Sequence, residues 1–220
     1  MANLTQLKML EDLNGFLLVD KPSGLAFSTV VKTVKRKFNL VKVGHGGSLD
    51  ALASGLLVLL INDANKFVDR VMGADREWEG TLRFGETTDT GDVHGRPMAL
   101  PERLATIDDF RGDVFQTEPR YSSIRREGRA DWEIADTGDH PQFLTHVYRM
   151  TVENGNFQML TGKAFLPRAM AQDLGATLTA LRRTKIGKLD VKDSIAFDRL
   201  LDTEIKDFAA CVMPLSQALQ

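Results

Sequence analysis

Apolar and polar positions along the chain change rhythm several times, and each change marks an element. Gly15 to Val19 is a short apolar run closed by Asp20-Lys21-Pro22-Ser23-Gly24, the pattern of a strand running into a turn. Val30, Val31, Val34 and Phe38 then recur at helical spacing, with Lys32, Lys35, Arg36 and Lys37 between them. This predicts an amphipathic helix that buries valines, exposes cations and is capped by Ser28. A glycine-rich loop follows, Gly44-His45-Gly46-Gly47-Ser48-Leu49-Asp50, and behind it Leu56 to Ile61 is apolar throughout, a buried strand or a short helix.

Further along, Trp78 to Phe84 and His146 to Val152 alternate as strands do, and Asn156 to Leu160 is placed to pair with the second through Glu153-Asn154-Gly155. Met170 to Arg183 reads as helical, split into two by Gly175. Asp131 to Gln142 is polar, rich in turn formers and expected to be a mobile loop. Strands and helices do not alternate regularly, and neither a dinucleotide fingerprint nor a Walker loop occurs. The pattern therefore favours an α+β mixed sheet over a doubly wound nucleotide fold, built as a single domain over residues 1–220.

Composition narrows the setting. With 43% hydrophobic residues there is material for one substantial core. The lone Cys211 excludes an intrachain disulfide, no apolar run reaches membrane-span length, and Met1 to Asn14 is too polar for a signal peptide. A cytoplasmic location is the simplest expectation. The net charge of −2 argues against a nucleic-acid partner until its distribution is read. Lys21 through Leu49 holds six basic and no acidic residues, and Gly162 through Lys192 holds seven basic against two acidic ones. Glu86 to Asp113 is acidic. Such asymmetry either focuses a polyanion on one face or reflects solvated faces.

The chemistry concentrates in the glycine loop. Glycines let a backbone approach a ligand closely, and an aspartate held at the end of such a loop is a candidate nucleophile; alternatively it is a cap or turn residue. Asp89, Asp92 and His94 match no metal-ligand spacing and read as a turn.

Several segments resemble the TruB-type pseudouridine synthases: Asp20-Lys21-Pro22-Ser23-Gly24, the loop ending at Asp50 with Ala53-Ser54-Gly55, and Ala64-Asn65-Lys66-Phe67. So do Phe84-Gly85 with Thr88-Asp89-Thr90, Asp92 and Gly95; Gln116, Pro119, Tyr121, Ser122 and Ser123; and Arg168, Asp173-Leu174-Gly175 and Leu181 to Gly187. The resemblance implies a mixed, largely antiparallel sheet flanked by helices, crossed by a basic RNA-binding cleft. It implies isomerisation of a uridine, with Asp50 as the catalytic aspartate, acting by covalent attack or by abstracting a sugar proton. The T-loop uridine of tRNA, position 55 in tRNA convention, is the expected target.

By the same resemblance His45 lies against the RNA at the flipped position and Arg168 pairs with the aspartate and with phosphate. Leu181 is an apolar pocket residue. Trp78 and Leu166 replace tyrosines of the family, which makes the pocket more apolar, and Ala51 replaces the proline after the aspartate, which is expected to loosen the loop. Bacterial TruB enzymes continue into a small RNA-binding domain, called PUA, beyond the point where this sequence ends. RNA affinity is then expected from Lys21, Lys35, Arg36 and Lys37 and from the Arg-rich segments around Arg125, Arg126, Arg182 and Arg183. No metal, cofactor or obligate protein partner is implied, and the chain is expected to be a monomer. The rival readings are an inactive RNA-binding or tRNA-folding chaperone of the same fold, and a small-molecule enzyme with a phosphate-binding glycine loop.

Overall fold

The computed structural model describes residues 10–119, 125–126, 129–130 and 142–218, the two short pieces by backbone alone. In chain order the elements are β1 (Gly15–Lys21), α1 (Phe27–Lys37), β2 (Val43–His45), β3 (Ser54–Ile61), a 3-10 turn (Asn62–Phe67), α2 (Val68–Gly73) and β4 (Arg76–Phe84). Then come β5 (Thr87–Thr88), β6 (Pro97–Met98), β7 (Gly112–Thr117), β8 (Arg125–Arg126), β9 (Arg129–Ala130), β10 (Gln142–Glu153) and β11 (Asn156–Thr161). The chain finishes with α3 (Pro167–Asp173), β12 (Ala176–Ile186), β13 (Leu189–Asp190), β14 (Ile195–Ala196), α4 (Phe197–Asp202), β15 (Met213–Pro214) and α5 (Leu215–Ala218). These elements form two compact units, Met1–Ala74 with Arg183–Gln220, and Asp75–Arg182.

In the first unit β1 and β3 pair antiparallel from Gly15↔Ile61 to Lys21↔Gly55. Alternation within these two apolar runs serves two cores at once. Leu17, Val19, Leu57, Leu59 and Ile61 meet Val30, Val34 and Phe38 at α1, with Phe197 and Leu200 of α4 and Phe208. Phe16, Leu18, Leu56, Val58 and Leu60 meet Ala64, Val71 and Ile186 on the opposite face. Leu56 to Ile61 is thus a strand buried on both sides, which is why it lacks polar alternation. The β1 edge adds β14 in parallel and β15 antiparallel, so the sheet is mixed. The helix α1 begins one residue ahead of its expected cap: Ala26 occupies the N-cap without a side-chain bond, and Ser28 lies inside the first turn.

In the second unit β4, β11, β10 and β7 are antiparallel neighbours, with Met159 opposite Trp78 and Leu144 opposite Phe115. The β10–β11 hairpin turns through Asn154-Gly155, as its sequence implies. A bulge between Val147 and Arg149 shifts the buried positions of β10 from Thr145 and Val147 to Met150.

The segment from Met170 to Arg183 corrects the helical expectation. Only Pro167–Asp173 is helical, and Ala176 to Ile186 is a strand. Gly175, at φ +61°, ends the helix. Beyond it, β-branched Thr177, Thr179 and Thr184 suit a pleated surface. Of the loop expected over Asp131 to Gln142, Gln142 opens β10 opposite Thr117, while residues 131–141 and the motif residues Tyr121, Ser122 and Ser123 lie outside the described residues, as do the side chains of Arg125 and Arg126.

Candidate active site

The glycine loop begins as the short strand β2, which pairs with β3 at His45↔Leu59, and continues through Gly46, whose N–H donates to the Val58 carbonyl at 2.9 Å. Two glycines explain themselves by close approach, though to the chain and not to a ligand. A Cβ on Gly44 would fall on the Asn65 carboxamide oxygen, and one on Gly46 on a Val71 methyl. Asn65 is itself held, donating to the carbonyls of Leu60 at 2.9 Å and Asn62 at 2.8 Å.

Past the glycines, Leu49 and Leu52 are buried anchors on either side of half-buried Asp50. The chain leaving Asp50 is tied to the turn after β1. Gly24 N–H donates to the Ala51 carbonyl at 2.7 Å and Ser23 Oγ to the Leu52 carbonyl at 2.6 Å. Lys21 Nζ donates to the carbonyls of Pro22 at 2.8 Å, Leu25 at 2.7 Å and Ala51 at 3.4 Å. Ala51 is therefore secured by two donors despite the missing proline. The chain entering Asp50 is tied by Arg183, which donates from Nη1 to the Ser48 carbonyl at 2.9 Å, from Nη2 to Gly47 at 3.3 Å and from Nε to Leu56 at 2.9 Å.

These bonds correct two expected phosphate contacts. Lys21 is 0% exposed and Arg183 1%, and each donates three hydrogen bonds to backbone carbonyls, so neither offers an accessible charge to a phosphate. Burial pulls the Lys21 amine down to about 8, against the Asp50 charge that favours the ammonium, while the Arg183 charge adds to the lowering. His45 is half-buried, tilted against the Phe27 ring at 4.8 Å, and its Nδ1 accepts from Gly47 N–H at 3.3 Å. Burial lowers its pKa, which favours the neutral ring, and the accepting Nδ1 leaves the proton on Nε2. On α1, Lys35 and Arg36 are exposed, whereas Lys37 is half-buried, its Nζ 5.3 Å from the Phe38 ring centre.

The second unit positions the remaining expected residues. Leu166 precedes α3 in extended conformation, Pro167 starts the helix, and half-buried Arg168 donates from Nη1 to the Thr90 carbonyl at 2.9 Å. Gln172, one turn on, donates to the Thr88 carbonyl at 2.8 Å. Helix α3 therefore grips the Thr88-Asp89-Thr90 segment. That segment closes on itself: Asp92 Oδ1 accepts from Thr90 Oγ1 and from His94 N–H, both at 2.9 Å, and Asp89 Oδ1 accepts from Arg96 N–H at 2.8 Å. These are turn bonds, and no group of three or more potential metal ligands occurs among the described residues.

Trp78 on β4 is 7% exposed and Leu181 on β12 4%, so in this conformation neither ring nor side chain presents a broad open face. Arg182 is partly exposed, with Nε 3.8 Å from the Glu79 carboxylate. Sequence reasoning missed the buttressing of Asp50 by Lys21 and Arg183, and the role of Gln116, whose buried side chain bonds Leu166. No sequence signal marked either cation for burial, since Lys21 stands between Asp20 and Pro22 and Arg183 between Arg182 and Thr184.

Chemically, the first unit presents one carboxylate on a backbone restrained from both sides, with a neutral imidazole on the same loop. That arrangement suits a nucleophile or a base whose position must not drift.

The TruB family pseudouridylate synthase (N terminal domain) profile matches residues 35–163. The tRNA pseudouridine synthase B of Opitutus terrae is 32% identical over 230 residues, covering 94% of this chain and 95% of that protein. That of an Azoarcus species is 34% identical over 210 residues, covering 85% and 69%. Among solved structures, a chain of an H/ACA RNP bound to a substrate RNA containing 2′-deoxyuridine is similar at TM-score 0.64 and 22% identity. The likeness spans 96% of this chain and 62% of that longer one, and at this identity it bears on the fold alone. No helix among the described residues is long and apolar enough to cross a membrane.

Proposed function

This chain belongs to the TruB family of pseudouridylate synthases, and from that premise we propose that it isomerises a uridine of tRNA to pseudouridine with Asp50 as the nucleophile. The observation that carries the assignment of Asp50 is its restraint. The peptide groups before and after it are bonded to two buried cations and to the turn after β1, which is what a catalytic carboxylate needs and a mere turn residue does not.

The reaction breaks the bond between N1 of uracil and the sugar C1′, rotates the base, and joins C5 to C1′; the C5 proton is lost and N1 gains one. No atom is added or removed, so the stoichiometry calls for no co-substrate. Asp50 assists by attack or by taking a sugar proton. Before either step the uridine must leave its stack, at a few kcal/mol. His45, neutral and half-buried beside the glycines, fits contact with the RNA at that position. A guanidinium such as that of Arg168 suits a phosphate or a carboxylate, and Trp78, Leu166 and Leu181 are the apolar residues that the family resemblance assigns to the base. Phosphate contacts come from Lys35, Arg36 and Arg182. The target is the T-arm uridine at position 55, modified in the cytoplasm by a monomer.

Purified protein incubated with a T-arm stem-loop tests this, with pseudouridine scored by mass spectrometry. Asp50→Asn is expected to abolish conversion and leave RNA affinity within about threefold of the parent; a variant keeping a tenth of the single-turnover rate would remove Asp50 from its role. Binding without conversion by the parent protein would favour the chaperone reading, which the replacements at Trp78 and Leu166 motivate.

A further inference from the structure

We propose that Arg183 is a positioning residue for catalysis, acting through the loop that carries Asp50 and not through the RNA phosphates; the inference rests on Asp50 being the nucleophile. Its guanidinium binds two successive loop carbonyls, Gly47 and Ser48, and the carbonyl of Leu56 in strand β3. One rigid planar group therefore fixes the spacing between the peptides that lead into Asp50 and a strand buried on both faces. A lysine could not copy this. Its ammonium is a compact point charge, whereas the three carbonyls are met by three different nitrogens of one fork.

The location argues for the same role. A cation 1% exposed has given up its hydration, and its desolvation is tolerable only if its donors are spent on well-aligned acceptors. An apolar side chain would fill the volume at lower cost but would hold no loop carbonyl. The charge is also felt nearby: burial first, and then the Arg183 charge, lower the pKa of both Lys21 and His45. With Lys21 bonded to Ala51 on the far side of Asp50, the chain is held at residues 47 and 48 before the carboxylate and at residue 51 after it. Releasing the leading side gives Asp50 freedom to move, and a misplacement of ~1 Å in a catalytic group costs ~100-fold in rate.

Single-turnover conversion of a T-arm stem-loop at saturating RNA, with RNA affinity measured across a salt series, tests the proposal on Arg183→Met and Arg183→Lys. Arg183→Met is expected to lose ~100-fold in rate with affinity within about threefold and an unchanged salt slope. Arg183→Lys is expected to lose at least ~10-fold in rate, because charge without the fork does not restore the loop. Full rate in either variant at saturating RNA overturns the proposal. Weakened binding with a shallower salt slope and undiminished rate also overturns it, since that is a phosphate contact. So does a rate loss matching only the fraction of molecules unable to bind RNA, which counts the active fraction should Arg183→Met fold poorly. Asp50→Asn, measured alongside, separates the cases: if it stays active, the nucleophile assignment fails whatever Arg183 does.

Discussion

The side-chain amide of Gln116 spans both backbone polar groups of Leu166, donating to its carbonyl at 3.0 Å and accepting from its N–H at 2.9 Å. Gln116 is fully buried on β7, and Leu166 is the residue from which α3 and Arg168 emerge. Gln116→Met keeps the bulk and orphans both groups, so a loss of about 2–4 kcal/mol is expected in denaturant unfolding. Gln116→Glu keeps an acceptor for the Leu166 N–H but sets a buried carboxylate against the Leu166 carbonyl, so at neutral pH it should cost at least as much as Gln116→Met. The rate per folded molecule should drop as well, because the segment leading into Arg168 loses its anchor.

Lys35→Ala and Arg36→Ala should weaken RNA binding across sequences and reduce its salt slope by about one per contact removed. Both side chains are exposed, and the basic last turn of α1 carries them together. Filter binding between low and physiological salt measures the slope, and an unchanged slope in the double variant would move the RNA off this helix.

Asp173 lines an open cavity of about 370 Å³ with Leu104, Phe110 and Val114, and burial raises its carboxyl from the ordinary 3.8 to about 6. The folded state therefore holds this proton more tightly than the unfolded chain does. Its effect on stability is most favourable below pH 4 and is lost as pH rises through about 6. Asp173→Asn, which cannot ionise, should be more stable than the parent at pH 8, by about 1 kcal/mol once partial exposure is allowed for, and no more stable at pH 4. Thermal melts at the two pH values decide it.

Trp78 is a strand residue with almost no exposed surface, so truncation should act first on the fold. Trp78→Ala is expected to cost about 3–5 kcal/mol, and Trp78→Phe much less. If the ring also supports the flipped base, Trp78→Ala will lose rate beyond its folded fraction while Trp78→Phe stays active. Melting curves combined with single-turnover rates separate the two contributions. Near-parental rate per folded Trp78→Ala molecule would leave the residue purely structural.

The strands of the fold were legible because their signals are local. Gly15 to Val19, closed by its turn formers, and the hairpin at Asn154-Gly155 need only local patterning and turn chemistry to be read, whereas Leu56 to Ile61, apolar throughout, left a strand and a short helix both open. The helix expected over Met170 to Arg183 failed because the apolar spacing of that segment is compatible with either element. Its strand character is decided by pairing with distant chain, which no window contains. The site divides the same way. The loop ending in Asp50 is visible as composition, yet Lys21 and Arg183 were assigned to the surface because basic residues are usually there. What buries them is a set of backbone carbonyls brought close by folding, and carbonyls leave no trace in a sequence.

The glycines at 44 and 46 carry a consequence for how this protein tolerates change. They are shaped against Asn65 and Val71, so the loop is a casting whose mould lies in the 3-10 turn and in α2. A bulkier residue at 44 or 46 cannot be absorbed locally. It becomes acceptable only with a matching concession at 65 or 71, and enlargement at either of those positions should damage catalysis as surely as a change beside Asp50. The region that must stay constant for the reaction thus extends into residues with no chemistry of their own.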